Sequence, residues 1–216
     1  MYIKSDFYIH KLIMKKNIIF DWSGTLLNNF DQIYKITIDI FKKLGKDNIS
    51  QKEYRTENTS PYMKFRNKYF PKLTKEKLNI LFSQALEKAD SPKLYLGVKD
   101  ILKNLHENNF KLFLLSSQPK KNLIKQMKEL EVYDYFSSVT GDIYDKKIVF
   151  KKLINENNLS TDETICIGDT IGEVEAWKAS KLTTVSLARW FNTKMQLRST
   201  KSDYIIDDLS ELLEIL

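Results

Sequence analysis

Apolar residues recur along this chain in two rhythms. Short continuous runs lie at residues 18–20, 110–115, 164–167, 183–187 and 204–206, with a weaker one at 138–140. Runs of that length, closed by small turn residues, predict strands buried on both faces of a parallel sheet. Between them, apolar residues fall three and four apart: Val98, Ile101, Leu102 and Leu105; Leu123, Ile124, Met127 and Leu130; Val149, Phe150, Leu153 and Ile154. That spacing gathers them on one side of a helix. Further helices are expected at 173–179 and from Leu209.

From about residue 28 to 92 only the helical rhythm is present. Ile33, Ile36, Ile40, Phe41 and Leu44 make one stripe before Gly45. Leu78, Leu81, Phe82, Ala85 and Leu86 make another over 74–89, behind Thr74 in a capping position. Strands alternating with helices predict an α/β protein with an open, mostly parallel sheet. Residues 16–27 and 93–216 form its core, interrupted by a helical insertion at 28–92. Residues 1–15 are an extension to which no role is assigned.

Composition sharpens this picture in three places. An apolar fraction of 42% over 216 residues suffices for a full core. No apolar run approaches the roughly 20 residues that span a bilayer, and the first segment lacks the apolar stretch and cleavage site of a signal peptide. The single cysteine, Cys166, lies inside a strand run; it excludes an internal disulfide and fits a reducing, cytoplasmic location. The net charge of +7 raises the question of nucleic acid. Lysines spread along helices among apolar positions are the pattern of solvated faces, which argues against an extended nucleic-acid surface. Arg55, Lys64, Arg66 and Lys68 are read the same way. His106 is read as a surface residue, and Trp22 and the Trp190–Phe191 pair as core or crevice aromatics.

Three strand runs end on polar groups, at Asp21, Ser116 and Asp169. In a parallel sheet such ends share one edge, where ligands bind. Lys146 and Lys147 stand at the start of a helix between the second and third. Two carboxylates, a hydroxyl and an ammonium at one rim suit a phosphate handled with a divalent cation, because hard oxygen ligands and a cationic donor serve the two charges. The turn at Ser23, Gly24 and Thr25 adds backbone N–H groups that can hold phosphate oxygens.

At these residues the chain resembles the haloacid dehalogenase superfamily, in the phosphatase branch that includes phosphoglycolate phosphatases. The likeness runs from about Lys16 to Leu216. Asp21-Trp22-Ser23-Gly24-Thr25 matches the opening Asp-x-Asp-Gly-Thr motif, and Ser116 the second-motif hydroxyl. Lys146 matches the third-motif lysine, with Lys147 as the alternative. Gly168-Asp169-Thr170-Ile171-Gly172-Glu173 matches the fourth, Gly-Asp with a following acid, and Tyr95-Leu96-Gly97-Val98 is similar to the re-entry into the core. The resemblance implies a Rossmann-like core whose inserted α-helical domain at 28–92 is a mobile cap. It implies Asp21 as nucleophile, and Asp21, the Ser23 carbonyl, Asp169 and Glu173 as ligands of Mg²⁺. Phosphate contacts then fall to Gly24, Thr25, Ser116, Ser117 and Lys146. The implied partner is a small phosphorylated substrate.

One position departs from the pattern. Where the phosphatases carry a general acid and base, this chain has Ser23, which cannot replace a carboxyl group near neutral pH. Attack by Asp21 is expected to persist while proton transfer slows, least for a good leaving group such as an acyl phosphate. The alternative is a catalytically weakened phosphate-binding or regulatory module of the same fold. Phosphonate-cleaving members also have a small residue here but use a cap lysine, and none is singled out. Dehalogenase members have Tyr and no metal, which Asp169 with Glu173 argues against.

Overall fold

A computed structural model describes residues 15–216 apart from 48, 59–62 and 190–191, and the backbone alone at Lys147. All but the last residue of the extension at 1–15 therefore lies outside the described residues, as does the Trp190–Phe191 pair. Among the described residues six strands form one parallel sheet: β1 (Asn17–Phe20), β4 (Lys111–Leu115), β5 (Phe136–Thr140), β6 (Thr164–Gly168), β7 (Thr183–Leu187) and β8 (Tyr204–Ile206), in the order β5-β4-β1-β6-β7-β8. The sheet is as the apolar runs predicted. β1 is central, with Phe20 beside Leu114 on one side and Ile167 on the other.

Side chains alternate across a strand, so β1 feeds two cores. Ile18 and Phe20 join the cluster under α5 (Val98–Glu107) and α6 (Lys120–Glu129). Ile19 and Cys166 join Phe150, Leu153 and Trp177 under α7 (Lys146–Glu156) and α8 (Ile171–Lys178). Full burial on both faces is why these strands read as unbroken apolar runs.

β2 (Leu27–Asn28) and β3 (Lys93–Leu94) make a separate antiparallel ribbon, two residues a side, too short to leave a period in the sequence. It brackets α1 (Phe30–Lys43), α2 (Gln51–Glu57), α3 (Met63–Tyr69) and α4 (Lys75–Leu86). These helices have apolar clusters of their own, one around Phe30, Phe41, Tyr54 and Phe65, the other around Ile36, Ile40, Leu73 and Leu78. Ser50 and Thr74 cap α2 and α4 by accepting from the amides of Glu53 (3.1 Å) and Lys77 (3.2 Å). A short α9 (Lys194–Arg198) precedes β8. The helix expected from Leu209 is a 3-10 helix over Leu209–Glu214, a tighter form that suits a short terminal segment. Among the described residues no helix is long and apolar enough to cross a membrane.

Candidate active site

The order β4-β1-β6 sets three strand ends side by side, and the residue after each is Ser116, Asp21 and Asp169. Asp21 is fixed by its own amide, which donates to the Ile167 carbonyl at 2.9 Å, and Ser116 by its amide, which donates to Thr140 at 2.9 Å. The Ser116 hydroxyl accepts from the Gln118 amide at 3.1 Å. Glu173, in the first turn of α8, turns back to the same point. Carboxylate oxygens of Asp21, Asp169 and Glu173 lie within 4.8 Å of one another, all buried.

Lys146 opens α7, and its ammonium donates to both Asp21 Oδ1 and Glu173 Oε1. Only 5% of the residue is exposed, so it is no solvated helix start. Glu173 Oε2 meanwhile accepts from the Thr170 amide at 3.4 Å, closing a capping box on α8. One glutamate thus anchors a helix and pairs with the site's lysine.

Three carboxylates share one ammonium, and the electrostatics follow. Burial, then the charge of Glu173, pushes Asp21 up to about 7, with Lys146 pulling the other way. Asp169 is pushed well above the ordinary carboxylate range, first by burial and then by Glu173 and Asp21. Burial alone would lower Lys146; Asp21 and Glu173 overcome it and hold the ammonium above its usual range. Asp169 Oδ1 accepts from the Thr25 hydroxyl at 3.3 Å, while Oδ2 is buried without a hydrogen-bond partner among the described residues. An orphaned carboxylate oxygen among two further acids is a donor set for a hard divalent cation.

The loop around these acids tolerates little change. Gly24 has φ +84°, and a Cβ there would collide with the Asp169 carboxylate. A Cβ at Gly168 would strike Glu173 and the Trp177 ring. Gly24→Ala combines left-handed strain with overpacking, so a loss of about 2–4 kcal/mol is expected in urea unfolding. A loss under 0.5 kcal/mol would show that the loop yields. Thr25 is fully buried, so its hydroxyl serves Asp169, and Gly24 packs against that carboxylate from the other side.

The model of the haloacid dehalogenase-like hydrolases matches residues 18–187. The chain belongs to this family. A phosphoglycolate phosphatase of Vibrio vulnificus is 27% identical over 128 residues, 57% of this chain and 56% of the relative; the chain thus spans about half the length of the first curated relatives it matches. The phosphoglycolate phosphatase of Vibrio cholerae is 23% identical across 93% of this chain and 96% of its own length. A predicted phosphatase from Clostridium acetobutylicum shares the fold, with a TM-score of 0.81 at 19% identity over 94% of this chain and 98% of that one. These likenesses set it in the phosphoglycolate-phosphatase-like branch, with a Rossmann-like α/β core.

In this haloacid dehalogenase-like chain Asp21 and Glu173 floor a cleft whose far wall is the helical insertion, and Asp169 lies buried beside them. Asp21, Ser23, Ser116, Ser117, Lys146 and Glu173 line one side, and Ile33, Tyr54, Arg66, Leu78 and Phe82 the other. Ser23 is half-buried, its hydroxyl accepting from Asn29 Nδ2 at 3.1 Å, and Ser117 is exposed at the rim. Lys64 and Lys68 are exposed as expected, and Arg55 lies over the Phe30 ring. Arg66 departs from its reading as a solvated residue. It is 5% exposed, faces the cleft and donates to Asn58 Oδ1. Its position three residues after Met63 and four before Phe70 puts it on the apolar side of α3, a signal the count of charges conceals. Gln118, also buried in the cleft wall, escaped the sequence reading because a lone glutamine has no motif. Trp22 is core; its indole N–H donates to Gln126 at 2.8 Å.

Proposed function

We propose that this chain is a Mg²⁺-dependent phosphatase that hydrolyses a small phosphorylated molecule through an aspartyl phosphate on Asp21. The observation that carries the reading is the buried convergence of Asp21, Asp169 and Glu173, of which Asp21 and Glu173 pair with Lys146 and floor the cleft. Family membership and the names of the relatives support it.

Asp21 Oδ attacks phosphorus, the bond to the leaving oxygen breaks, and the phosphoryl group passes to the aspartate. Water then attacks the same phosphorus, the acyl–phosphate bond breaks, and inorganic phosphate leaves with the carboxylate restored. Lys146 offsets the charge on the transferring oxygens, and the Ser116 hydroxyl orients them. Asp21, the Ser23 carbonyl, Asp169 and Glu173 would hold the cation, which when bound would supply Lewis-acid neutralisation of phosphate charge. Ser23 donates no proton of useful acidity, so the leaving oxygen takes its proton from water. Residues 28–92 act as the cap, and Ile33, Leu78, Phe82 and Arg66 meet the rest of the substrate.

Phosphate release from alkyl, aryl and acyl phosphates, with Mg²⁺ and with EDTA, tests the reading. Release is expected with Mg²⁺ only, fastest from acyl phosphates. Equal release in EDTA removes the metal from the proposal, and no release from any class removes the phosphatase.

A further inference from the structure

Arg189 follows β7 and lies away from the cleft, at the foot of the β2–β3 ribbon. Its side chain is 9% exposed and, among the described residues, meets Thr25, Asp208 and Tyr95. Nη1 donates to the Thr25 carbonyl at 3.1 Å, Nη2 reaches Asp208 Oδ2 at 3.4 Å, and the guanidinium carbon stands 3.8 Å from the centre of the Tyr95 ring.

The bland account is an ion pair with Asp208, but the distances and burial weigh against it. The Asp208 side chain is 57% exposed, and a pair so wet gives back little for the desolvation of a guanidinium. The two inward contacts are the built ones. Thr25 lies two residues before β2, and Tyr95 follows β3 directly. The Tyr95 amide donates to the Leu26 carbonyl at 3.0 Å, so the guanidinium closes a small ring of contacts across both chains of the ribbon. Thr25 is also the residue whose hydroxyl meets Asp169 Oδ1.

We propose that Arg189 is a positioning residue that clamps both feet of the helical insertion and, through Thr25, holds Asp169 in place. A rigid planar fork suits this task, since it can donate along two directions while lying flat on a ring; a lysine ammonium cannot. Thr25 then keeps its place while the insertion moves, and the acid beneath it does not follow. The consequence for turnover rests on the phosphatase reading. The clamp itself does not.

Hydrogen–deuterium exchange of the native protein, Arg189→Met, Arg189→Lys and Asp208→Asn is the test, with kinetics on p-nitrophenyl phosphate in parallel. In Arg189→Met, exchange over residues 24–27 and 94–95 is expected to quicken about tenfold, with β4 unchanged. The kcat falls about tenfold to a hundredfold while KM stays within about twofold, because geometry and not binding is lost. Arg189→Lys shows the same pattern at smaller amplitude, and Asp208→Asn matches the native protein in both readouts. Native exchange over 24–27 in either Arg189 variant overturns the clamp, as does quickening confined to the segments around 189 and 208. If the native protein releases phosphate from no alkyl, aryl or acyl phosphate, the phosphatase reading falls and the exchange pattern alone decides the clamp.

Discussion

Asp21→Asn is expected to lower phosphate release by at least about 10⁴-fold while leaving the fold intact. The amide matches the carboxylate in shape but cannot attack phosphorus. Lys146 keeps Glu173 as a partner, so the ammonium is not stranded. The effect on stability has the opposite sign to the effect on activity. Asp21 is raised from 3.8 to about 7, so the folded chain holds this proton more tightly than the unfolded one. That contribution is complete below about pH 4 and is lost as pH climbs to about 7, above which the ionised group opposes folding. Asparagine carries no such charge. At pH 8 without metal, the variant is therefore expected to unfold at an equal or higher urea concentration than the native protein. Turnover within tenfold of native, measured as phosphate release, would remove Asp21 as nucleophile.

Ser23→Asp carries the second large effect, a gain. Restoring a carboxyl group at this position is expected to raise hydrolysis of alkyl phosphates by about 10² to 10⁴, the usual worth of a placed proton donor. The site is ready for it. Ser23 borders the cleft, and Asn29, 3% exposed, aims its Nδ2 at the hydroxyl and can serve a carboxylate equally. The gain should shrink from alkyl to aryl to acyl phosphates, because a better leaving group needs less help from a proton. A fourth acid beside three others lowers the stability of the metal-free protein, and Mg²⁺ should recover it. A flat response across all three substrate classes would mean that proton transfer does not limit this chain. Joined to negligible native turnover, it favours the phosphate-binding module.

The sheet and the acid cluster were legible because each leaves a mark in one dimension. β1, β4 and β6 are buried on both faces, so their burial appears as unbroken apolar runs; of the polar residues closing those runs, Asp21 and Ser116 line the cleft and Asp169 lies buried beside Asp21. Lys146 was set by motif order, with Lys147 as the alternative, and it lies buried against Asp21 and Glu173. Other features leave no such trace. The β2–β3 ribbon is two residues a side, shorter than any period it could reveal. Arg66 looked like one basic residue among several until α3 turned it toward the cleft. Arg189 depends on Thr25, 164 residues away, which no local pattern encodes.

The central place of β1 has a consequence for how the chain is made. Its four residues are among the earliest of the core to leave the ribosome, yet Asn17 meets Thr164 only after another 147 residues have been joined. At ordinary elongation rates that is a wait of roughly 7 to 30 s, far longer than the microseconds in which a helix forms. The helical insertion, built from neighbours in sequence, can organise during that interval. The apolar strand that precedes it cannot: β1 gains its first sheet neighbour only with β4, and its other side stays open until β6 arrives.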